Sequence, residues 1–418
     1  MKEFELRRQK LLEQMEENSV CLLFSGVPKI KSEDACYDFA VNMNFYYLTG
    51  IEQDNSMLIL IKSITGSHVY LFVDEYSELK EKWTGKRLTF DEARFYSGIE
   101  NVNSTATLDS ILSLALAKDN NQYGAIKTLY LDLSNEIKIR DCTSTRDLGK
   151  SISKNFAHIN VEDVYPKIVR QRMVKSSYEI ECLREAIKLT NQGINNLILN
   201  LKVGKFEYSV ADSFEFYGRE HGRAPLSFET IIASGKNALC LHYPSQGSQI
   251  QPGDLVLMDL GFKHNHYSAD ISRTYPIDGV FTGVKRDIYE AVLNCNKALI
   301  EYAKPGLKIS DLQAFAVDFL RSECLRLGLL DVDDDIRGVY YHGCSHYLGL
   351  DTHDVGDREI PLEPGNVITI EPGLYFAKYG VGVRIEDDVL ITEKGSENLS
   401  AFILKEISDI ERMFKMKG

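Results

Sequence analysis

The chain has 418 residues, of which 44% are hydrophobic and 26% charged, a globular composition that excludes a disordered or collagen-like chain. This length favours two domains over one. The 48 basic and 61 acidic residues give a formal net charge of −13, which argues against nucleic acid and against an anionic membrane surface as partners, because both attract basic proteins.

The N-terminus and the cysteines indicate where the protein resides. Residues 1–8 are rich in charge and lack the apolar core of a signal peptide, and no apolar run is long enough to cross a bilayer. The eight cysteines are scattered without a CxxC pair, unlike the dense disulfide framework of a small secreted protein. We therefore expect a soluble cytoplasmic protein with free thiols.

The first third of the chain alternates helical and β-type segments. Residues 3–17 have the spacing of an amphipathic helix, and a second helical stretch lies around Leu108–Ala117. The β-type runs are Ser19–Phe24, Ser56–Ile61, His68–Val73 and Thr128–Leu133. This alternation predicts a small α/β domain over residues 1–170.

A second domain, residues 171–418, is predicted after a boundary near Pro166–Lys175. Ser176 and Glu179 have the spacing of a capping box, which predicts the start of a long helix. Further helices are predicted at Glu207–Glu220, at Val284–Tyr302, at Asp311–Leu327 with Ser310 as its cap, and at the C-terminus through Leu404 and Phe414.

The most informative feature of this second domain is an internal repeat. Pro252–Gly261 matches Pro364–Gly373, because each segment has a Pro-Gly turn, a mostly apolar run, a carboxylate and a final glycine. The apolar run predicts a buried strand, at whose end lies Asp259 in the first copy and Glu371 in the second. A carboxylate there is costly to desolvate unless a positive group meets it. The repeat therefore predicts a duplicated half-domain that points two carboxylates at one place.

Each of these carboxylates is followed by a turn and a second acid. Asp270 lies eleven residues after Asp259, and Glu386 lies fifteen residues after Glu371. Two hairpins would thus gather four carboxylates, which share a pocket only with bound cations or protonation. The segment 342–354 contains three histidines, one of which would complete a dinuclear metal site. We expect the adjacent Asp387 and Asp388 to be ordinary solvated charges.

At these residues the chain resembles the aminopeptidase P family of metal-dependent Xaa-Pro aminopeptidases, within the creatinase/methionine-aminopeptidase superfamily. The motifs that carry the resemblance are Leu257–Gly261, Ala269–Thr274, His342–Gly349, Ile370–Tyr375 and Arg384–Asp388, in the family's order. Asn44–Gly50 is similar to the family's N-terminal domain. The resemblance implies an α/β (α+β) fold: an N-terminal creatinase-like α/β domain followed by a pita-bread catalytic domain with an internal two-fold repeat.

The resemblance also implies the residues of a dinuclear site. The implied metal ligands are Asp259, Asp270, His346, Glu371 and Glu386. Oxygen-rich ligands with a single imidazole favour two Mn²⁺ ions, although Zn²⁺, Co²⁺ or Fe²⁺ would also bind.

The implied catalytic residues are Glu371, His353 and His242. Glu371 would shuttle a proton, and the two histidines would donate hydrogen bonds to the scissile carbonyl or the tetrahedral intermediate. The implied substrate-binding residues are His342, His353, Arg384 and Tyr375, of which the last two orient the ligands from behind.

The activity implied by the resemblance is hydrolysis of the bond between an N-terminal residue and a following proline in peptides, by a homodimer or homotetramer. Two alternatives stay open. A prolidase would use the same metals but cut only Xaa-Pro dipeptides. A non-catalytic binding module would share the fold, but such modules typically lose ligands, and all five positions are filled here.

Overall fold

The computed structural model describes residues 2–33, 35–118, 122–134, 138–139 and 143–417. The chain forms two compact units, Met1–Gln171 and Arg172–Gly418. Cys142 lies outside the described residues, and the other seven cysteines are free thiols. No helix in the described ranges is long and apolar enough to cross a membrane.

The N-terminal unit is a mixed α/β structure. Its strands in the described residues are β1 (Ser19–Phe24), β2 (Ile30–Ser32), β3 (Ala35–Cys36), β4 (Met57–Ser63), β5 (Gly66–Val73), β6 (Asn101–Ser104), β7 (Thr128–Leu131), β8 (Lys138–Ile139), β9 (Thr143–Ser144) and β10 (Asn160–Asp163). Its helices are α1 (Lys2–Gln14), α2 (Met43–Thr49), α3 (Glu78–Thr84), α4 (Phe90–Ser97), α5 (Leu108–Leu116) and α6 (Thr145–Asn155), and α7 (Tyr165–Met173) contains the boundary between the units.

The main sheet of this unit has the strand order β10-β7-β1-β4-β5-β6. β1 is buried along its whole length. It is an interior strand that pairs with β4 on one side, antiparallel, and with β7 on the other, parallel, and its side chains Val20, Leu22 and Phe24 belong to the core of the unit. An uninterrupted apolar run suits such a strand, and the strand predicted at Ser19–Phe24 is confirmed with its bounds.

The C-terminal unit combines short sheets with long helices. Its strands are β11 (Ile231–Ser234), β12 (Leu255–Leu260), β13 (Lys263–His264), β14 (Tyr267–Ser268), β15 (Ile271–Pro276), β16 (Val367–Ile370), β17 (Gly373–Phe376), β18 (Val381–Arg384), β19 (Asp387–Ile391) and β20 (Ser396–Asn398). Its helices are α8 (Ser177–Asn200), α9 (Glu207–Glu220), α10 (Gly283–Tyr302), α11 (Ile309–Arg326) and α12 (Ile407–Lys417).

The helix starts in this unit confirm one predicted cap and correct another. The capping box is present at α8, where the Ser176 side chain accepts from the Glu179 backbone and the Glu179 side chain accepts from the Ser176 backbone. Ser310 is the predicted cap of α11, but it lies inside the first turn. The N-cap is Lys308, whose backbone N–H donates to the Asp311 carboxylate at 2.8 Å, so the helix begins earlier than the serine indicates.

The two copies of the sequence repeat form two antiparallel hairpins. β12 lies between β11 and β15, and β16 pairs with β19, which also pairs with β20. In the first hairpin Met258 pairs with Arg273. In the second, Ile370 pairs with Asp387. Each of these pairs precedes the strand-end carboxylate, so the hairpins have corresponding registers.

Candidate metal centre

The hairpins place the four predicted carboxylates around one cavity. Asp259 is the penultimate residue of β12, and Glu371 directly follows β16; Asp270 and Glu386 directly precede β15 and β19. All four line a cavity of about 300 Å³ together with His346. The five residues that the resemblance implies as ligands therefore line one cavity.

The hairpins meet through corresponding positions of the repeat. Arg273 and Asp387 form a buried ion pair, with Nη2 and Oδ1 2.8 Å apart. One residue earlier in each segment, the Ser272 hydroxyl donates to Glu386 Oε2 at 2.8 Å. These two contacts hold the start of β15 against the start of β19, where the second acid of each copy lies.

His346 presents one nitrogen to the carboxylates. Its Nδ1 lies 2.9 Å from the Tyr347 carbonyl oxygen, so in the neutral ring Nδ1 carries the proton that is donated to that carbonyl and Nε2 has the lone pair that a cation would take. Nε2 is 3.4 Å from Asp270 Oδ2, 3.5 Å from Glu371 Oε1 and 4.0 Å from Glu386 Oε1. Ligand atoms of Asp270, His346 and Glu386 all lie within 4.8 Å of one another, a spacing that one cation would span.

Asp259 has one satisfied and one unsatisfied oxygen. Its Oδ2 accepts from Arg384 Nη2 at 2.6 Å. Its Oδ1 is buried and has no hydrogen-bond partner within the described part of the chain. A buried carboxylate oxygen without a donor is costly, whereas a divalent cation would satisfy it. The donor set, four carboxylates and one imidazole, therefore fits hard or borderline divalent ions.

The crowding of acids changes their protonation. Burial raises the pKa of Asp270 to about 6 and that of Glu371 to about 7, and it raises the pKa of Glu386 well above its usual range; the neighbouring carboxylates add to each shift. Burial opposes the charge on His346, but Asp270 and Glu371 outweigh it and raise the imidazole pKa to about 9. The cluster is thus short of positive charge, as a cation-binding site is before it is filled.

Arg384 orients the cluster from behind through a chain of hydrogen bonds. Besides Asp259, it donates to the Ser272 hydroxyl at 2.7 Å and to the Tyr375 hydroxyl at 3.2 Å. The Tyr375 hydroxyl lies 2.9 Å from His342 Nε2, and His342 Nδ1 lies 2.8 Å from the Gly343 carbonyl oxygen. Because Nδ1 donates to that carbonyl, Tyr375 donates to Nε2. Burial lowers the pKa of His342 to about 4, so both nitrogens of a neutral ring are engaged.

His242 and His353 lie on loops and are exposed. Both line the first cavity and also a second one of about 470 Å³, and Asp259 and Asp270 line both cavities as well. The His353 ring packs edge-on against His346, with ring centroids 4.4 Å apart. His342 and Arg384 line the first cavity, whereas Tyr375 lines neither and lies behind Arg384.

The expectation that Asp387 and Asp388 are solvated is wrong. Both are fully buried. Asp387 accepts from Arg273 and from the Ser400 hydroxyl, and Asp388 Oδ2 accepts from the backbone N–H of Asp270 at 3.2 Å. β19 is buried on both faces, so its acids need partners from other segments. The cation that meets Asp387 is Arg273, which lies 114 residues earlier in the chain, so no local pattern marks either acid as buried.

The chain is similar to known proteins over its whole length. Residues 181–393 match metallopeptidase family M24, and residues 4–123 match the N-terminal domain of aminopeptidase P. Xaa-Pro aminopeptidase of Escherichia coli K12 is 35% identical over 433 residues, which cover 98% of this chain and 97% of that protein.

Solved structures agree with this. A Bacillus anthracis chain, described as a candidate aminopeptidase P, superposes with a TM-score of 0.95 at 40% identity, covering 100% of this chain and 99% of that one. Zinc-substituted Escherichia coli aminopeptidase P in complex with product gives a TM-score of 0.90 at 33% identity, covering 100% and 98%.

Proposed function

The chain belongs to metallopeptidase family M24 and carries the N-terminal domain of aminopeptidase P, and we propose from this that it removes the N-terminal residue from peptides with proline in the second position. Family membership confirms the predicted fold class, an N-terminal α/β domain followed by a pita-bread catalytic domain.

The observation that carries the proposal is the cluster of three buried carboxylates, the half-buried carboxylate of Glu371 and one imidazole around a single cavity. Asp259, Asp270, His346, Glu371 and Glu386 would hold two divalent cations, and the unpartnered Oδ1 of Asp259 supports this. Such ions supply an activated water and stabilise the negative charge that develops on a tetrahedral carbon. We propose Mn²⁺ as the native ion because oxygen ligands predominate.

The protein residues around the ions would move protons and orient the peptide. Glu371 lines the cavity and would carry the proton from the attacking water to the leaving proline nitrogen. The exposed His242 and His353 would donate hydrogen bonds to the scissile carbonyl as its oxygen becomes negative. Both nitrogens of His342 are engaged, so we expect its ring to contact the substrate by packing only. Arg384 and Tyr375 would act by holding Asp259 and His342 in place.

The preference for proline has a chemical basis. The Xaa-Pro bond is a tertiary amide without an N–H, so a peptidase that reads that donor handles it poorly. The test compares an Xaa-Pro dipeptide with a longer peptide that begins with the same two residues. We expect hydrolysis of the longer peptide with release of the first residue. Hydrolysis of the dipeptide but not of the longer peptide would contradict the proposed aminopeptidase activity and indicate a prolidase.

Metal removal tests the site itself. We expect chelation to abolish hydrolysis and Mn²⁺ to restore it better than Zn²⁺, because the ions act directly on the water and the carbonyl. Metal content measured alongside activity separates the candidates: a protein that never retains a divalent ion and cleaves no peptide is a binding module. We also propose a homo-oligomeric, cytoplasmic enzyme, and the free state of the seven described cysteines agrees with a reducing compartment.

A further inference from the structure

An ionic cluster lies beside the site; three of its members are buried, and the fourth, Asp351, has a side chain that is 43% exposed. Arg172 and Lys175 are 2% and 4% exposed, at the start of the C-terminal unit. Arg172 Nη2 is 2.6 Å from Asp354 Oδ1 and 2.8 Å from Asp351 Oδ2. Lys175 Nζ is 3.0 Å from Asp354 Oδ2. Both oxygens of Asp354 are therefore held, each by a different cation.

The two acids of this cluster lie on either side of His353. We define the His353 loop as residues 349–354. Inside it the Gly349 N–H donates to the Asp351 carbonyl at 3.1 Å, and at its end the Asp354 N–H donates to the carbonyl of Tyr347, just before the loop, at 2.9 Å. A Cβ at Gly349 would collide with the Asp354 carboxylate, so the loop closes tightly on the buried acid.

His353 itself has little else to hold it. In the ranges that the structure describes, its imidazole makes no hydrogen bond, and its ring contacts the His346 ring. The direction of the ring is therefore set by the backbone of the His353 loop. Asp351 and Asp354 hold that backbone on either side of His353 through Arg172 and Lys175, and the Thr352 hydroxyl adds a hydrogen bond to the Ser227 carbonyl at 3.0 Å.

The cations are anchored in turn to the second copy of the repeat. The Lys175 backbone N–H donates to the Gly365 carbonyl at 2.8 Å, and the Asn366 side chain donates to the Met173 carbonyl at 2.9 Å. Gly365 and Asn366 form the turn before β16, whose far end carries Glu371. The segment 172–175 thus joins the His353 loop to the strand that presents a predicted ligand.

We propose that Arg172 and Lys175 are positioning residues that aim His353 at the scissile carbonyl. The proposal rests on the proposed function for the role of His353. A hydrogen-bond donor displaced by about 1 Å can lose about a hundredfold in rate, and buried charges held at these distances fix a loop more closely than exposed ones. Removing Arg172 takes an ion-pair partner from the buried Asp354 carboxylate.

The test is a double-mutant cycle with full-length enzyme, using Arg172→Met, His353→Ala and the double variant. We expect Arg172→Met to lower kcat by about tenfold to a hundredfold with KM and metal content little changed. In the His353→Ala background the same change should cost almost nothing, because the residue that it aims is gone. Equal losses in both backgrounds, or loss of metal from Arg172→Met, would overturn the proposal.

Two further variants keep the test decisive. If Arg172→Met does not fold, Arg172→Lys replaces it in the same cycle, since lysine keeps the charge but loses the planar fork; we expect a smaller loss with the same dependence on His353. The matched control is Arg184→Met, which removes an exposed ion pair with Glu397 in the same unit and should leave kcat unchanged.

Amide hydrogen exchange provides a readout that does not depend on turnover. We expect amides of the His353 loop to exchange faster in Arg172→Met than in the wild type and in Arg184→Met. Unchanged exchange would overturn the proposal even if activity fell. A wild-type enzyme that cleaves no Xaa-Pro peptide would instead refute the proposed function, and the exchange experiment would still test whether the cations hold the loop.

Discussion

The acids and the exposed histidines of the site are positioned in two different ways. The four carboxylates lie at strand ends, where the register of two hairpins decides where they point. His242 and His353 lie on exposed loops, where no register helps them. The strands position the carboxylates, whereas the two histidines need other side chains to hold their loops in place.

The loop that carries His242 is held in place by a buried carboxylate. Glu207, fully buried at the start of α9, accepts from the Ser234 N–H at 2.7 Å and from the Ser248 N–H at 3.1 Å. One carboxylate therefore fastens both ends of residues 234–248. The His353 loop is also held by a buried carboxylate, because its Asp354 forms ion pairs with Arg172 and Lys175. Both exposed histidines that we propose as catalytic therefore lie on loops with buried charges at their base.

The largest expected effect lies on the side of the acids. We expect Glu371→Ala to lower kcat by at least about a thousandfold, because it removes both a predicted ligand and the proton shuttle. Hydrolysis of an Xaa-Pro-containing tripeptide measures the loss, and circular dichroism checks that the fold is intact. Glu393→Ala, at an exposed position after β19, is the control. Unchanged activity of Glu371→Ala would contradict the proposed role of Glu371 as metal ligand and proton shuttle.

The orientation of Asp259 depends on Arg384 as well as on strand register. Arg384 holds Asp259 while donating also to Ser272 and Tyr375. Lysine cannot make all three contacts, so we expect Arg384→Lys to weaken metal binding by about tenfold to a hundredfold, measured by titration of the metal-free protein. Tyr375→Phe, which removes only the hydroxyl, should weaken it less. Full affinity in Arg384→Lys would mean that β12 alone orients Asp259.

The same division explains what could be predicted from the sequence. A strand that ends in a carboxylate leaves a local pattern, and the repeat shows it twice, so Asp259 and Glu371 can be identified from the amino-acid sequence alone. The hairpins, the capping box at Ser176 and the strand at Ser19–Phe24 follow from equally local spacing. Arg172 and Lys175 leave no such pattern, because their partners lie about 180 residues away in the chain. The burial of Asp387 and Asp388 escapes prediction for the same reason.

The last expected effect is on stability rather than on activity or metal binding. It concerns the charges that hold the loop, and it depends on pH. Burial alone would raise the pKa of the Asp354 carboxyl, but Arg172 and Lys175 outweigh burial and hold this pKa below its usual value. A group with a depressed folded-state pKa contributes stability that is present above its unfolded-state pKa, about 3.9 for Asp, and is lost as the pH falls through the folded-state value.

The stability of Asp354→Asn, measured against pH, tests this contribution. At pH 7 the variant leaves two buried cations without their shared anion, which costs about 3–5 kcal/mol for a buried pair and lowers the urea midpoint. Asparagine does not titrate, so we expect the difference from the wild type to shrink as the pH falls below about 4. Glu397→Gln, at the exposed ion pair with Arg184, should lower the midpoint little at any pH. If the difference in urea midpoint between Asp354→Asn and the wild type stayed constant from pH 7 to pH 3, Asp354 would hold the loop by hydrogen-bond geometry alone. Buried charge would then not explain how the His353 loop is positioned.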